Sequence, residues 1–479
     1  MDLLERIALE LRCDNPLILG FGREGRSTYA LFRRIFPSAM VTVADRNAEN
    51  PSLEILRNDP HCRIRTGAEY LRNLDEFDRI VRSPGVPCSE FDFDTHRHKI
   101  TSQTDLFLKL CPGTVIGVTG TKGKSTCSTL IASIFKIHSP HMLLLGNIGL
   151  PALDTLEQTT RSSLVVYELS SHQLVDVRTS PHIGILLNLY PEHLDYYPDM
   201  ESYARAKANI ARFSTPDDFL IYNSSFPFFR EVARATPART VPFCLEGDAD
   251  GPLRVEGDRI VMMLRGKCVP VLSLSEIPLP GRFNLNNVLP AILAAALLDV
   301  SSGDIRKGVR QFRPLSHRIE HVATYKGISF YDDSISTIPE STEAALEVFP
   351  GRVGSLILGG YNRNLDFRSL ARTIHRHRIP VLILFPVTGH QIRTAVEAER
   401  PQEGPLPEMF LVDSMEKAVQ TAYARTEPGK VCLLSPASPS FNLFRDFEER
   451  GALFHECVHR LAGGKQRGCS SGLRGPAGP

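Results

Sequence analysis

The sequence predicts an α/β protein of three domains built on parallel sheets. Three observations carry that expectation: short apolar runs alternate with helical patterns, the chain is 479 residues long, and the series of candidate strands breaks twice. At about 150 residues per domain, such a length is too great for one core and suits about three.

The first block, residues 1–108, offers the strands LILGF (17–21), MVTVA (40–44) and DRIVRS (78–83). It ends where ITSQTDLFLKL gives way to CPGTVIGVTG. The second, 109–314, offers TVIGVT (114–119), HMLLL (141–145), SLVVYEL (163–169), IGILLNL (183–189) and DFLIYN (218–223). It closes at RPLSHR, where Pro314 interrupts the chain. The third, 315–465, offers ISFYDD (328–333), GSLILGG (354–360), VLILF (381–385), MFLVD (409–413) and VCLLS (431–435). The glycine-rich end GGKQRGCSSGLRGPAGP (463–479) has no apolar period, so a disordered tail is expected over 466–479.

Hydrophobic residues at 42% and charged residues at 23% are ordinary globular values. A net charge of +1 gives no broad field for nucleic acid or a membrane surface, so small molecules met in clefts are the expected partners, and a monomer is expected. The start, MDLLERIALELRCD, mixes acids and bases and does not read as a signal peptide. No apolar run approaches the roughly 18 residues that span a bilayer. Ten cysteines without a CxxC pair predict free thiols in a reducing cytosol and no cysteine metal site.

Two loops carry the chemistry of the first block. In GFGREG, glycines 20, 22 and 25 follow a strand and lead through Arg23 into a helix, and Asp45 lies twenty residues after Gly25. Alone this spacing suggests a dinucleotide. Glycines let the backbone approach phosphate and a helix N-terminus favours its charge, which any diphosphate would exploit; an unliganded tight turn is the plain alternative. SPGVP (83–87), with Ser83, Pro84 and Gly85, ends a further strand. The pair suits a sugar nucleotide as well as NAD.

The second block is more specific. TVIGVTGTKGKSTCSTLIASIF (114–135) reads as strand, loop and helix. Backbone N–H groups of Gly120, Thr121, Lys122 and Gly123 can wrap phosphates, Lys124 can meet the β and γ groups, and Ser125 or Thr126 can hold Mg²⁺. The spacing GxxGKS is a variant of the common phosphate loop. Glu168 in YELSSHQ and His193 in NLYPEHLDYY each follow a strand, and strand C-termini face one crevice, so both can reach a metal at the phosphates.

GTKGKST, NIGLP (147–151), YELSSHQL, EHLD with YARAKANI (203–210), LPGRFNLNNVLPA (279–291), SHRIE (316–320), DDS (332–334), LILGG (356–360) and LLSPASPSFNLFRDFEERG (433–451) together resemble the Mur ligases. The resemblance runs from about residue 15 to about residue 460; GREGRS with SPG, and the SFNLFRDFEERG segment, resemble the glutamate-adding type. It implies a Rossmann-like UDP-binding domain, a central P-loop ATPase-like domain and a Rossmann-like C-terminal domain. It further implies that ATP phosphorylates the terminal carboxylate of UDP-N-acetylmuramoyl-L-alanine and that glutamate displaces the phosphate. ATP and Mg²⁺ are the implied cofactors.

Carried over by position, Lys124 and Ser125 bind phosphate and metal, Glu168 and His193 hold Mg²⁺, and Lys207 is carbamylated. Asn147 contacts the sugar nucleotide; Asn287, Arg318 and Asp333 contact ATP; Thr337, Arg363, Ser440 and Phe447 form the glutamate pocket. Phe283 stands where the family has histidine, Ile335 where it has lysine, and Arg363 replaces another lysine. The last two touch the amino-acid end, so L-glutamate stands as the alternative to D-glutamate. A folylpolyglutamate-type ligase is disfavoured by the hundred residues before the phosphate loop. A non-catalytic protein on the same fold would not retain Lys124, Glu168, His193 and Lys207, and an unrelated phosphotransferase would not carry LLSPASPSF.

Overall fold

The computed structural model describes residues 3–137, 139, 142–146, 151–193, 196–245, 251–264, 267–279, 281–313, 316–362, 365–401, 404–441 and 443–463. The chain forms two compact units, Met1–Pro278 with Phe283–Arg313, and Leu279–Arg282 with Pro314–Pro479.

In the first unit a five-stranded parallel sheet runs Cys62–Thr66, Val41–Asp45, Pro16–Leu19, Arg79–Arg82, Ile100–Thr101. A six-stranded parallel sheet follows in the order Arg239–Phe243, Phe219–Asn223, Ile183–Leu186, Thr114–Thr119, Leu164–Glu168, Met142–Gly146. Three of its four inner strands, Ile183–Leu186, Thr114–Thr119 and Leu164–Glu168, are almost wholly buried, because helices cover both faces. A small antiparallel sheet of Leu253–Glu256, Arg259–Leu264 and Lys267–Ser273 completes this unit.

The second unit holds one six-stranded sheet, ordered Glu320–Tyr325, Ile328–Asp332, Val431–Leu434, Val353–Gly359, Val381–Phe385, Glu408–Leu411. The first pair is an antiparallel hairpin and the others pair in parallel. Every apolar run expected to be a strand is one. The parallel-only expectation needs correcting: a hairpin and a three-stranded antiparallel sheet are also present. Six of the seven strands absent from the sequence reading are edge strands, such as Cys62–Thr66 (CRIRT), whose outward residues are polar and break the apolar run. The expected tail, 466–479, lies outside the described residues. Among those described, no helix is long and apolar enough to cross a membrane.

One buried ion pair ties the two parallel sheets of the first unit. Arg82, at the end of its strand, is 1% exposed; its Nε and Nη2 donate to Asp176 Oδ2 at 2.9 and 2.8 Å. The guanidinium also donates to the His172 carbonyl at 3.2 Å and to the Val86 carbonyl. Removing one member of such a pair strands a buried charge. Arg82→Met is therefore expected to cost about 3–5 kcal/mol in denaturant unfolding, and the double variant with Asp176→Leu to recover much of it.

Candidate active site

A cavity of about 490 Å³ opens at the C-terminal ends of the first sheet. It is lined by Gly22, Arg23, Asp45, Ser83, Pro84 and Gly85 from the two expected loops, joined by Tyr70 and Glu90. Gly20 has φ +89°, and a Cβ on Gly25 would lie 2.1 Å from the Gly20 carbonyl oxygen, so glycine at both positions lets the helix start against the strand. Around Gly22, the N-cap of helix Arg23–Ile35, a Cβ would meet nothing within 4 Å. That is the open face a diphosphate needs. The Ser83 hydroxyl donates to the Gly20 carbonyl at 2.8 Å and locks the loops together.

Asp45 lines the cavity with its oxygens already engaged. Oδ2 accepts from Phe21 N at 2.7 Å and Oδ1 from Asn47 N at 2.8 Å, so this carboxylate orders the glycine loop. Sequence reasoning missed Tyr70, whose hydroxyl donates to Glu90, and Arg46, which pairs with Glu90 at 3.1 Å. No motif announces them. Asn147 lies outside the described residues.

The phosphate loop sits at the centre of the second sheet, between strand Thr114–Thr119 and helix Lys124–Phe135. Gly123 caps that helix in the left-handed region, φ +83°. The loop is braced from the Ile183 strand's extension: Lys122 N donates to Asn188 Oδ1 (2.8 Å), and Thr121 Oγ1 accepts from Tyr190 N (2.9 Å). Lys124 Nζ folds back onto the carbonyls of Gly120 (2.9 Å) and Thr121 (3.0 Å). Its ammonium is thereby held at the mouth of the loop. Ser125 and Thr126 follow in the first helical turn, beside this loop.

Asn287, on helix Leu285–Leu297, is buried against the loop and donates to Asn284 Oδ1 at 3.0 Å. A Cβ on Gly123 would lie 2.1 Å from Asn287 Oδ1. Gly123→Ala must therefore strain the backbone and displace Asn287. We expect it to raise the KM for ATP about 10-fold or more, measured by steady-state kinetics, and to lower the melting temperature by a few degrees.

Glu168 ends its strand fully buried, and neither carboxylate oxygen has a hydrogen-bond partner. An unpaired buried carboxylate is costly unless a cation meets it, so this residue fits a metal ligand. His193 takes a left-handed φ of +59°, rare outside glycine, and its ring lies 4.7 Å from that of His172. Lys207, on helix Met200–Arg212, is 1% exposed. Its Nζ donates to the Gly120 carbonyl at 2.9 Å and stands 4.6 Å from the centre of the Tyr203 ring. Burial, with Lys124 and Lys122 nearby, holds this amine well below the usual lysine range. The structure thus brings Lys207 and Lys124 to one carbonyl, that of Gly120.

In the second unit, Asp333 follows strand Ile328–Asp332 and is buried, which pushes its carboxyl up to about 7; Ser435 Oγ donates to it at 2.7 Å. Arg318 is near enough to favour its charge. Ser440 is 2% exposed, in the loop after strand Val431–Leu434, and the Phe447 carbonyl accepts from Ser334 Oγ at 2.8 Å. Thr337 is half-buried. Arg363 lies outside the described residues. Sequence reasoning missed Arg450, wholly buried, which donates to the Ser438 carbonyl (3.0 Å) and the Ser334 carbonyl (2.8 Å) and so fixes the loop that carries Ser440. Burial lowers its guanidinium to about 10.

Residues 118–295 match the Mur ligase middle domain and 317–438 the Mur ligase glutamate ligase domain. The chain is 33% identical over 458 residues to the UDP-N-acetylmuramoylalanine--D-glutamate ligase of Geobacillus kaustophilus, covering 93% of this chain and 97% of that one. The chain belongs to the Mur ligase family. Membership makes it an ATP-dependent, amide-bond-forming ligase. The enzyme of the same name from Symbiobacterium thermophilum is 36% identical over 401 residues, 83% of this chain and 87% of the relative. The Mur ligase fold is also seen in MurF from Acinetobacter baumannii, at TM-score 0.59 and 16% identity over 95% of this chain and 98% of that one. In this Mur ligase Phe283 is 41% exposed, so its ring is not required by the core.

Proposed function

We propose that this Mur ligase adds D-glutamate to UDP-N-acetylmuramoyl-L-alanine in cytoplasmic peptidoglycan precursor synthesis, using ATP and Mg²⁺. The observation that carries the proposal is the match to D-glutamate ligases over nearly the whole chain, including the first block with its loop-lined cavity. On this reading residues 1–108 bind the uridine diphosphate, 109–314 bind ATP and 315–465 bind glutamate.

A carboxylate is a poor electrophile, so its activation is the use made of ATP. The alanine carboxylate oxygen attacks the γ-phosphorus, the bond to the β-phosphate oxygen breaks, and ADP leaves. The glutamate amine then attacks the acyl carbon, phosphate departs with the bonding pair, and the nitrogen gives up a proton. Both steps need reactants held in line and charge neutralised more than they need covalent chemistry from the protein. Lys124 supplies a fixed positive charge at the phosphates. The loop from Gly120 to Gly123 offers backbone N–H groups, and Asn287, Arg318 and Asp333 contact the nucleotide. Thr337, Arg363, Ser440 and Phe447 seat the glutamate.

Mg²⁺, when bound, offsets the charge of the transferring phosphoryl group. Ser125, Glu168, His193 and a carbamylated Lys207 would hold it, and the unpaired oxygens of Glu168 suit that role. Lys207 suits carbamylation because burial, with Lys124 and Lys122 nearby, disfavours its ammonium form. Its nitrogen bonds to the carbon of CO₂ and loses one proton, which leaves an anion where an ammonium would be repelled.

Incubation with ATP, Mg²⁺, UDP-N-acetylmuramoyl-L-alanine and each glutamate enantiomer tests the proposal. D-glutamate is expected to give the ligated product at much the greater kcat/KM. A clear preference for L-glutamate would contradict it, and Ile335, in place of a family lysine, is where such a change would originate.

A further inference from the structure

The second unit gathers four metal-ligating side chains: His317, Glu320, Asp332 and His455, whose ligand atoms all lie within 4.8 Å of one another. Three elements supply them. His317 and Glu320 come from the SHRIE loop and the strand it enters, Asp332 from the end of strand Ile328–Asp332, and His455 from helix Phe447–Gly463. His317 Nδ1 is 2.6 Å from Asp332 Oδ2; His455 Nε2 is 3.0 Å from the same oxygen and 3.8 Å from Glu320 Oε2. Asp332 is fully buried, and His455 Nε2 is buried without the alignment of a hydrogen bond.

The loop is bent to present these groups. His317 and Ile319 both take left-handed backbone conformations, φ +62° and +47°, which side chains other than glycine's rarely adopt and which cost energy unless the surroundings enforce them. Helix Phe447–Gly463 passes this cluster at Gly451, where a Cβ would lie 2.1 Å from His317 Nδ1 and 2.6 Å from Asp332 Oδ2. Only glycine admits the imidazole and carboxylate there.

We propose that His317, Glu320, Asp332 and His455 form a binding site for one zinc-class divalent cation, which staples helix Phe447–Gly463 to the sheet. Two imidazoles and two carboxylates make an N₂O₂ set, which suits zinc, whereas Mg²⁺ and Ca²⁺ take oxygen ligands. The two negative charges balance the ion. Ligand bonds of about 2.0–2.2 Å in a tetrahedron place ligand atoms about 3.3–3.6 Å apart, and the separations here, from 2.6 Å upward and none above 4.8 Å, reach that spacing with side-chain movements of about 1 Å. Arg318 lies between two of these ligands and Asp333 follows a third, so the ion would also fix the backbone that carries both.

Zinc titrated into the full-length, chelator-stripped protein without nucleotide is the test, with bound metal counted after gel filtration and melting temperature recorded. One equivalent of zinc is expected, with a higher melting temperature. His455→Ala and Glu320→Gln should each weaken binding at least about 10-fold while remaining folded. Glu168→Gln, which alters the phosphate-loop metal ligand, should keep it. No bound zinc in the parent protein, binding unchanged in His455→Ala and Glu320→Gln, or binding lost only in Glu168→Gln would overturn the proposal. None of these results bears on whether the enzyme ligates D-glutamate.

Discussion

Lys207→Ala is expected to lower ligation by about 10³-fold while leaving the protein folded, and millimolar acetate or formate should restore part of the rate. The reason lies in the electrostatics around this side chain. A lysine that is 1% exposed, with Lys124 and Lys122 near it, is shifted toward the neutral amine, the form that reacts with CO₂. The resulting carbamate places an anion among those cations. Alanine removes the anion and leaves a space into which a small carboxylate fits. The pH dependence has a definite sign: as pH falls the amine protonates, carbamate is lost and activity falls, and added bicarbonate moves that fall to lower pH. Intact-protein mass under mild conditions should show one CO₂ on the parent chain and none on Lys207→Ala. A parent chain without the adduct, or a fully active variant, would refute this role.

Lys124→Ala should abolish turnover, by about 10³-fold or more in kcat, because it removes an ammonium held at the mouth of the phosphate loop. Lys124→Arg should recover little: a broad planar fork cannot take the place of the compact ammonium that sits between the Gly120 and Thr121 carbonyls. Rapid-quench measurement of acyl phosphate formation separates this from a defect in glutamate binding. A variant that forms acyl phosphate at the parent rate would show that Lys124 has no part in the first step.

The layout around these residues was largely legible in the sequence, and the reasons are physical. The phosphate loop and Glu168 announce themselves because a central parallel strand must be apolar, so a glycine–lysine loop or a carboxylate at its end stands out. GFGREG and SPGVP likewise mark two strand ends, and the structure joins them in one cavity. Tyr70 and Arg46 reach that cavity from segments without periodic pattern, so no motif reveals them. Edge strands such as Arg239–Phe243 escaped because their outward residues face water. The RIVMML strand, Arg259–Leu264, is the exception, being apolar enough to be legible in the sequence. Arg450 shows a further limit: an arginine in a charged FEERG run reads as solvated, yet it is wholly buried, satisfied by carbonyls that only tertiary structure supplies. Lys207 is similar, since a helical YARAKANI looks exposed until the helix is seen packed against the phosphate loop.

The central claim is that ATP is consumed to make an amide between two particular substrates. Phosphate release, followed continuously while ATP, Mg²⁺, UDP-N-acetylmuramoyl-L-alanine and D-glutamate are omitted one at a time, tests it most directly. The account predicts sustained release only with all four present, matched one for one by a product heavier than the nucleotide substrate by a glutamyl residue. Sustained release with ATP and Mg²⁺ alone, or release without that product, would contradict it.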